Sequence, residues 1–243
     1  MYTFLKSVVK NIIPEETLIR HEDRFRKFLK PFYQGENHEC KICGTKLKKF
    51  AQLENGQLIC PVCGSLPRTR RLDTLLEKEF LKPGFAFLDF SPSRMLYKKW
   101  KKRKDLSYYP TDFENEFLSD YHYDITGIDA EDDKFDLIIC YHILEHITED
   151  QKAMSELYRV LKKGGIALIQ TPFKEGEIYE DDSITTHQER LKHFGQEDHV
   201  RIYSVKGLES RLKDAGFQVT VRTFSEDAYH GYSGNEKVLI CRK

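Results

Sequence analysis

Apolar residues recur at helical spacing near the start of the chain: Phe4, Leu5, Val8, Val9, Ile12 and Ile13, then, past Pro14, Leu18, Ile19, Phe25, Phe28 and Leu29. The spacing predicts two short amphipathic helices within a first segment, 1–35. Docking onto the rest of the chain is the plainer use of residues 1–30; contact with a partner or a membrane surface is the sharper one. A third helix is predicted over 68–81, with Leu72, Leu75, Leu76 and Phe80 on one face and Lys82-Pro83-Gly84 closing it. From 85 onward, strand-like apolar runs at 85–90, 106–111, 135–141, 166–171, 217–223 and 237–241, plus a short one at 121–124, alternate with helical patterns at 92–103, 149–161 and 204–215. Gly164 and Gly216 stand where the last two helices would be capped. Strands separated by helices predict an α/β fold with a doubly wound, mainly parallel, seven-stranded sheet. The loop before the last strand, rich in Ser, Gly and Tyr, predicts an antiparallel hairpin at the sheet edge.

Between the helical start and the sheet lie two cysteine pairs, Cys40-Lys-Ile-Cys43-Gly44 and Cys60-Pro-Val-Cys63-Gly64, with 16 residues between them. The two-residue gap puts both sulfurs of a pair on one side of a tight turn, and the following glycine permits a left-handed backbone. Glu54-Asn55-Gly56-Gln57 supplies a hairpin turn between the pairs. This is the spacing of a zinc ribbon, 36–66. Four sulfurs leave no open position for water or substrate, so the ion, Zn2+, is structural. Its binding, worth about 10 to 16 kcal/mol, would fold a segment too small for a core of its own. Disulfides are the competing assignment and a redox dithiol the weaker third. Cys140 and Cys241 sit in apolar runs and are expected to pack as small hydrophobes.

The chain has 243 residues and a formal charge of zero, with 39 Lys+Arg against 39 Asp+Glu. That balance argues against a dominant polyanion-binding surface. No run approaches the ~20 apolar residues of a membrane-spanning helix. The start carries lysines inside its apolar part and lacks a small-residue cleavage site, so it is expected to be retained and the protein to be cytoplasmic.

Ligands of such sheets bind beyond the carboxyl ends of the strands, and three acids fall there: Asp89, Asp112 and Asp124. A carboxylate after the second strand can accept from ribose hydroxyls and one after the third from an adenine amino group; helix caps and turns are the ordinary alternative for each. A buried strand then runs into polar residues and a helix: Phe135-Asp-Leu-Ile-Ile-Cys-Tyr141-His142-Ile-Leu-Glu145-His146-Ile147, followed by Leu157-Tyr-Arg-Val-Leu-Lys-Lys-Gly-Gly165. This stretch resembles the fourth strand and following helix of class I S-adenosylmethionine-dependent methyltransferases of the type 11-like kind, and the likeness runs from about 85 to 241. It implies a Rossmann-like methyltransferase domain, 67–243, with Asp89 ending strand one, Asp112 on the ribose, Asp124 and Ile125 near the adenine, and Tyr141 and His142 lining the methyl-donor pocket.

One feature departs from that family. The usual glycine-rich turn is here Asp89-Phe90-Ser91-Pro92-Ser93, without glycine. Ser91 and Ser93 would supply hydroxyls to the cofactor and cap the next helix, with Pro92 in its first turn. The run Phe194-Gly-Gln-Glu-Asp-His199-Val-Arg201-Ile-Tyr203 resembles a subgroup of these enzymes that also carries an N-terminal four-cysteine ribbon and a Ser/Ala-Pro turn after strand one. The segment 171–204 reads as a long loop, a lid or substrate wall. His199 is the first candidate for a catalytic base and His142 the second; Glu145 and His146 are expected to orient the turn, and Arg201 to form a salt bridge within the loop. The implied function is methyl transfer to an O or N nucleophile of a small-molecule or glycan-type substrate. An RNA methyltransferase, reading through the ribbon with Arg68, Arg70, Arg71 and the basic run 98–104, is a second hypothesis, and a catalytically silent scaffold a third.

Overall fold

The computed structural model describes residue 22 and residues 25–243. The helix expected over 4–13, and half of that over 18–29, lie outside the described residues. Among these, no helix is long and apolar enough to cross a membrane. The described residues divide into two compact units, one of those up to 81 with 93–103 and 224–236, and one of residues 82–92, 104–223 and 237–243.

The first unit contains the cysteine pairs. After a helical turn, α1 (Lys30–Tyr33), strand β1 (Gln34–Glu39) pairs antiparallel with β2 (Lys46–Leu47), and β3 (Ala51–Gln52) with β4 (Leu58–Ile59) across the turn at Gly56. Helix α2 (Pro67–Leu75) runs into a wider π-helical turn, Leu76–Phe80, and α3 spans Arg94–Trp100. Sequence alone assigns 67–81, 93–103 and 224–236 to the catalytic domain, yet they group with the cysteines. The reason is a pair of buried arginines. Arg70, fully buried, donates to the carbonyls of Leu58, Ser65, His230 and Gly231 and stacks over Phe50 at 4.3 Å. Arg71 pairs with Glu236 at 2.7 Å, donates to the carbonyls of Ser225 and Ser233, and lies over Phe224 and Tyr232. Their planar donor forks hold the 225–233 segment against α2.

The second unit carries the sheet. Its strands are β5 (Ala86–Phe90), β6 (Ser107–Thr111), β7 (Phe135–Tyr141), β8 (Leu161–Gln170), β9 (Phe173–Lys174), β10 (Tyr179–Glu180), β11 (Arg201–Ser204), β12 (Gln218–Phe224) and β13 (Glu236–Arg242). Six of them form one sheet, in the order β12-β13-β8-β7-β5-β6. The pairs β5/β6, β5/β7 and β7/β8 are parallel and β13 is antiparallel to β8, so β12 and β13 close one edge as the loop composition suggests. The seventh strand, expected at 121–124, is reduced to one parallel bridge between Tyr121 and Thr111. Leu137 to Cys140 are buried without alternation, as a central strand covered on both faces requires. Helix α4 (Asp150–Val160) contributes Ala153, Met154, Leu157 and Val160 to that core.

Gly164 is not a helix cap. The strand starts directly after α4, pairing Phe135 with Leu161 and then Leu137 with Ile166, and Gly164, at φ 77°, lies in the bulge between. The segment expected to be a loop at 171–204 has its own structure: a small sheet ordered β10-β11-β9 and helix α5 (His187–Phe194), started by a Thr186/Glu189 capping box and ended by Gly195 in the left-handed region. Helix α6 (Val205–Asp214) follows, its first turn capped by the Ser204 hydroxyl. Because the Arg71–Glu236 pair is buried on both sides, Arg71→Ala is expected to cost about 3 kcal/mol of stability in urea denaturation; a loss below about 1 kcal/mol would show that the pair is not structural.

Candidate active site

Parallel register decides which residues meet. Asp89 is opposite Pro110 on β6 and Ile139 on β7, so residues just past 90, 111 and 141 emerge on one rim. The Ser91 amide donates to the Thr111 carbonyl at 2.7 Å and the Asp112 amide to the Tyr121 carbonyl at 3.1 Å. The Tyr123 amide donates to Thr111 Oγ1 at 2.8 Å, which brings the 121–124 segment beside the same strand end.

Asp89 is buried and accepts from the Tyr108 hydroxyl at 2.9 Å; burial, only partly offset by that bond, pushes its carboxyl up to about 7. Asp112 is also buried. Its Oδ1 accepts from the Ser91 hydroxyl at 2.6 Å, and its Oδ2 from the amides of Glu116 and Phe117 at 2.7 and 3.0 Å. Asp124 is exposed and accepts from the amide and hydroxyl of Thr126, both at 2.8 Å, the turn geometry that is its ordinary alternative. The Ile125 side chain packs in the core.

The glycine-free turn has an explanation. Ser91 adopts φ 45°, the left-handed region a glycine would occupy freely, and its hydroxyl bond to Asp112 fixes that conformation. The turn also delays the helix. Helix α3 begins at Arg94, so Pro92 lies before the cap and not in the first turn, and Ser93, at the cap position, makes no side-chain capping bond. Its buried hydroxyl has no hydrogen-bond partner.

At the end of β7, half-buried Tyr141 is followed by His142, again left-handed at φ 57°. The His142 amide donates to the Gln170 carbonyl at 2.8 Å, and its Nδ1 stands 3.2 Å from Glu145 Oε1. Burial opposes the charge on Glu145, but His142 outweighs it and keeps the carboxyl below its usual range. His199 also comes close to Glu145, a donor atom of each lying within 4.8 Å. It is buried, edge-on to the His146 ring at 4.7 Å, and burial together with His146 lowers its pKa. Both candidate bases are therefore near one carboxylate. Sequence reasoning gave Glu145 and His146 only a supporting part; the signal for more was the run His142-x-x-Glu145-His146 itself, which curls into a short turn of 3-10 helix at Leu144–His146.

Arg201 pairs with Glu180 at 2.7 Å, the salt bridge expected within the segment. It also donates to the carbonyls of Leu144, Ile147 and Thr148, fastening β11 to the turn after β7 and leaving it no donor fork for an anion. Arg70 and Arg71 are likewise committed inside their unit, and Lys99 of the basic run grips Asp73 at 2.7 Å and Glu77 at 2.9 Å. Cys140 and Cys241 are buried in the core. In the other unit, the sulfurs of Cys40 and Cys63 stand 3.6 Å apart and those of Cys43 and Cys60 3.8 Å, with the four mutually within 4.8 Å. A tetrahedron with metal–sulfur bonds of about 2.3 Å has edges of about 3.8 Å, so the cluster is shaped to hold a metal ion.

The sequence model of the family described as "Methyltransferase domain" matches residues 69–221, and the chain belongs to that family, with the fold of the class I S-adenosylmethionine-dependent enzymes. No curated protein matches the sequence. Among solved structures, the fold is shared with an S-adenosylmethionine-dependent methyltransferase from Archaeoglobus fulgidus (TM-score 0.52, 14% identity, covering 72% of this chain and 93% of that one) and with one from Mesorhizobium loti (0.51, 12%, 70% and 96%). A Haloferax volcanii methyltransferase solved with the Trm112 methyltransferase activator is similar to the same degree (0.51, 12%, 70% and 88%). At these identities the likeness is one of fold.

The Asp89 carboxyl yields a pH test. With a folded pKa of about 7 against the ordinary 3.8, the folded state holds the proton more tightly, so stability is expected to fall as pH rises from about 4 to 7 and then to level off. Asp89→Asn should flatten that slope in melting temperatures measured across pH; an unchanged slope would place the titration elsewhere.

Proposed function

We propose that this enzyme transfers a methyl group from S-adenosylmethionine to an oxygen or nitrogen of a small-molecule or glycan-type substrate. The observation that carries the reading is the Ser91–Asp112 pair on the β5/β6 rim, with His142 emerging from the neighbouring strand β7. The residues fit the cofactor. A carboxylate offers about four acceptor positions, and three on Asp112 are taken, one of them by a serine hydroxyl that can rotate away. Ribose hydroxyls can use the free position and the one Ser91 vacates. Asp89, Pro92, Ser93 and Tyr141 would border the methionine end, and Asp124 and the Ile125 backbone the adenine. S-adenosylmethionine, when bound, supplies a methyl group made electrophilic by its sulfonium.

The chain's own task is to orient the acceptor and remove its proton. His142 is better placed for this than His199, reversing their order from sequence. Glu145 holds Nδ1 of His142, and Nε2 has no hydrogen-bond partner. His199 is more deeply buried. The buried positions of Arg70 and Arg71 count against RNA as substrate, since both are removed from any surface that could track phosphates. The left-handed Ser91 and His142 count against a silent scaffold, because such strain costs about 1 to 3 kcal/mol per residue and gathers at working sites. Cys40, Cys43, Cys60 and Cys63 would hold a structural Zn2+.

Calorimetry with S-adenosylhomocysteine tests the site. Asp112→Ala should weaken binding at least tenfold, and undiminished affinity would refute the ribose role. His142→Ala should bind the same ligand normally and lower transfer of labelled methyl groups to cell-extract acceptors by about 10²- to 10⁴-fold. For the cysteine cluster, elemental analysis should find zinc in the parent, and Cys60→Ser should lose both the metal and several degrees of melting temperature; a metal-free, equally stable parent would rule out the structural ion.

A further inference from the structure

We propose that Glu145, His146 and His199 form a second metal site, which binds one divalent transition-metal ion beside the proposed acceptor position. The donor atoms of the three residues lie within 4.8 Å of one another. Two ligands of a single ion bonded at about 2.0 to 2.2 Å stand about 3 to 4 Å apart, so small rotamer adjustments close the set around a cation.

Glu145 is sparsely partnered for a buried carboxylate. It is 1% exposed, its one ionic contact is His142 Nδ1 at 3.2 Å, and neither of its oxygens receives a hydrogen bond of good geometry. The nearby arginine, Arg201, spends its donors on Glu180 and on backbone carbonyls. A buried carboxylate with so little else around it is costly, and a bound dication at the oxygens that His142 leaves open offsets that cost directly. His199, 4% exposed, points the same way: its Nε2 is buried and has no hydrogen-bond partner. A neutral imidazole protonated on the other nitrogen presents a lone pair there, the form a metal takes.

Outer contacts complete the pattern. Asp198 Oδ2 sits 3.0 Å from His146 Nδ1, the carboxylate–histidine arrangement that orients an imidazole ligand and raises its basicity. The Val200 amide donates to the Glu145 carbonyl at 2.9 Å, which fixes the segment bearing His199 against the turn bearing the other two. Two imidazoles and one carboxylate suit Mn2+, Fe2+ or Zn2+ better than Ca2+ or Mg2+, and three protein ligands leave positions open. This contrasts with the closed four-sulfur cluster. Resting on the methyl-transfer reading, the role of the cation is to hold the acceptor's hydroxyl or amine and ease the loss of its proton.

The test is metal counting with Mn2+ as the probe, on the full chain with its cysteine cluster loaded. Dialysis against micromolar Mn2+ followed by elemental analysis should give one ion per chain beyond the cysteine-bound one. Glu145→Gln and His199→Ala should each lose that ion and keep the other. Asp198→Asn, at an exposed position, should weaken Mn2+ binding by about tenfold or more, read from the free-Mn2+ resonance signal, with an unchanged melting temperature showing that the fold is intact. A parent that holds only the cysteine-bound ion, or an Asp198→Asn affinity equal to the parent's, overturns the site. S-adenosylhomocysteine calorimetry on the same samples separates the two readings: ligand binding without the second ion removes the cation alone, and the second ion without ligand binding removes the methyl-transfer assignment alone.

Discussion

Parallel pairing of β5 with both β6 and β7 is the constraint on which the rest depends. It forces three strands to end at one rim, and the residues after each strand then face a common space whatever their separation in sequence. Ser91 and Asp112 owe their meeting to this register, and His142 follows the end of the neighbouring strand. A one-residue slip of β6 would move Asp112 out of line with Ser91 and turn the alternation of buried side chains over to the wrong face.

Buried charge is handled in two different ways. Arg70, Arg71 and Arg201 are surrounded by carbonyls, aromatic faces or carboxylates and act as bolts. Asp89 and Glu145 have far fewer partners: a single tyrosine hydroxyl for one, and a histidine at 3.2 Å for the other. Arginines so fully engaged have no capacity left for ligands, whereas carboxylates so sparsely engaged do. The asymmetry distinguishes charges that are fully engaged within the fold from those that retain capacity for a ligand.

The fold was legible in the sequence where the patterns were long. The central strands, the helix before Gly216 and both cysteine pairs follow from periodicity and spacing. Misreadings came where a local signal had two uses. Gly164 looked like a helix cap but serves a strand bulge, since the strand begins one residue after the helix ends. The 171–204 segment looked like a loop because its strands are two to four residues long, too short for alternation to register. The grouping of 224–236 with the cysteines was invisible, because it depends on what two arginines reach across more than 150 positions. Within the site, the acids after the strands could be read, but the meeting of Glu145 with His199 could not, because it depends on the backbone bond from Val200.

The missing glycine is the last point that the structure resolves. A left-handed serine is strained relative to glycine, and a chain that had merely lost its cofactor would have no reason to keep that geometry. Here the Ser91 hydroxyl reaches Asp112, and a glycine at 91 would leave Oδ1 of this buried carboxylate without that donor. The serine therefore performs two tasks: it turns the chain, and it satisfies the acid; on the proposed reading a ligand's hydroxyls would take over the second. The same trade recurs at His142, where the left-handed backbone accompanies the approach of the ring to Glu145. Ser91 and His142 both follow strand ends on the rim, whereas Asn115, Asp133 and Asn235, of types that tolerate this region, account for the other left-handed positions without glycine among the described residues.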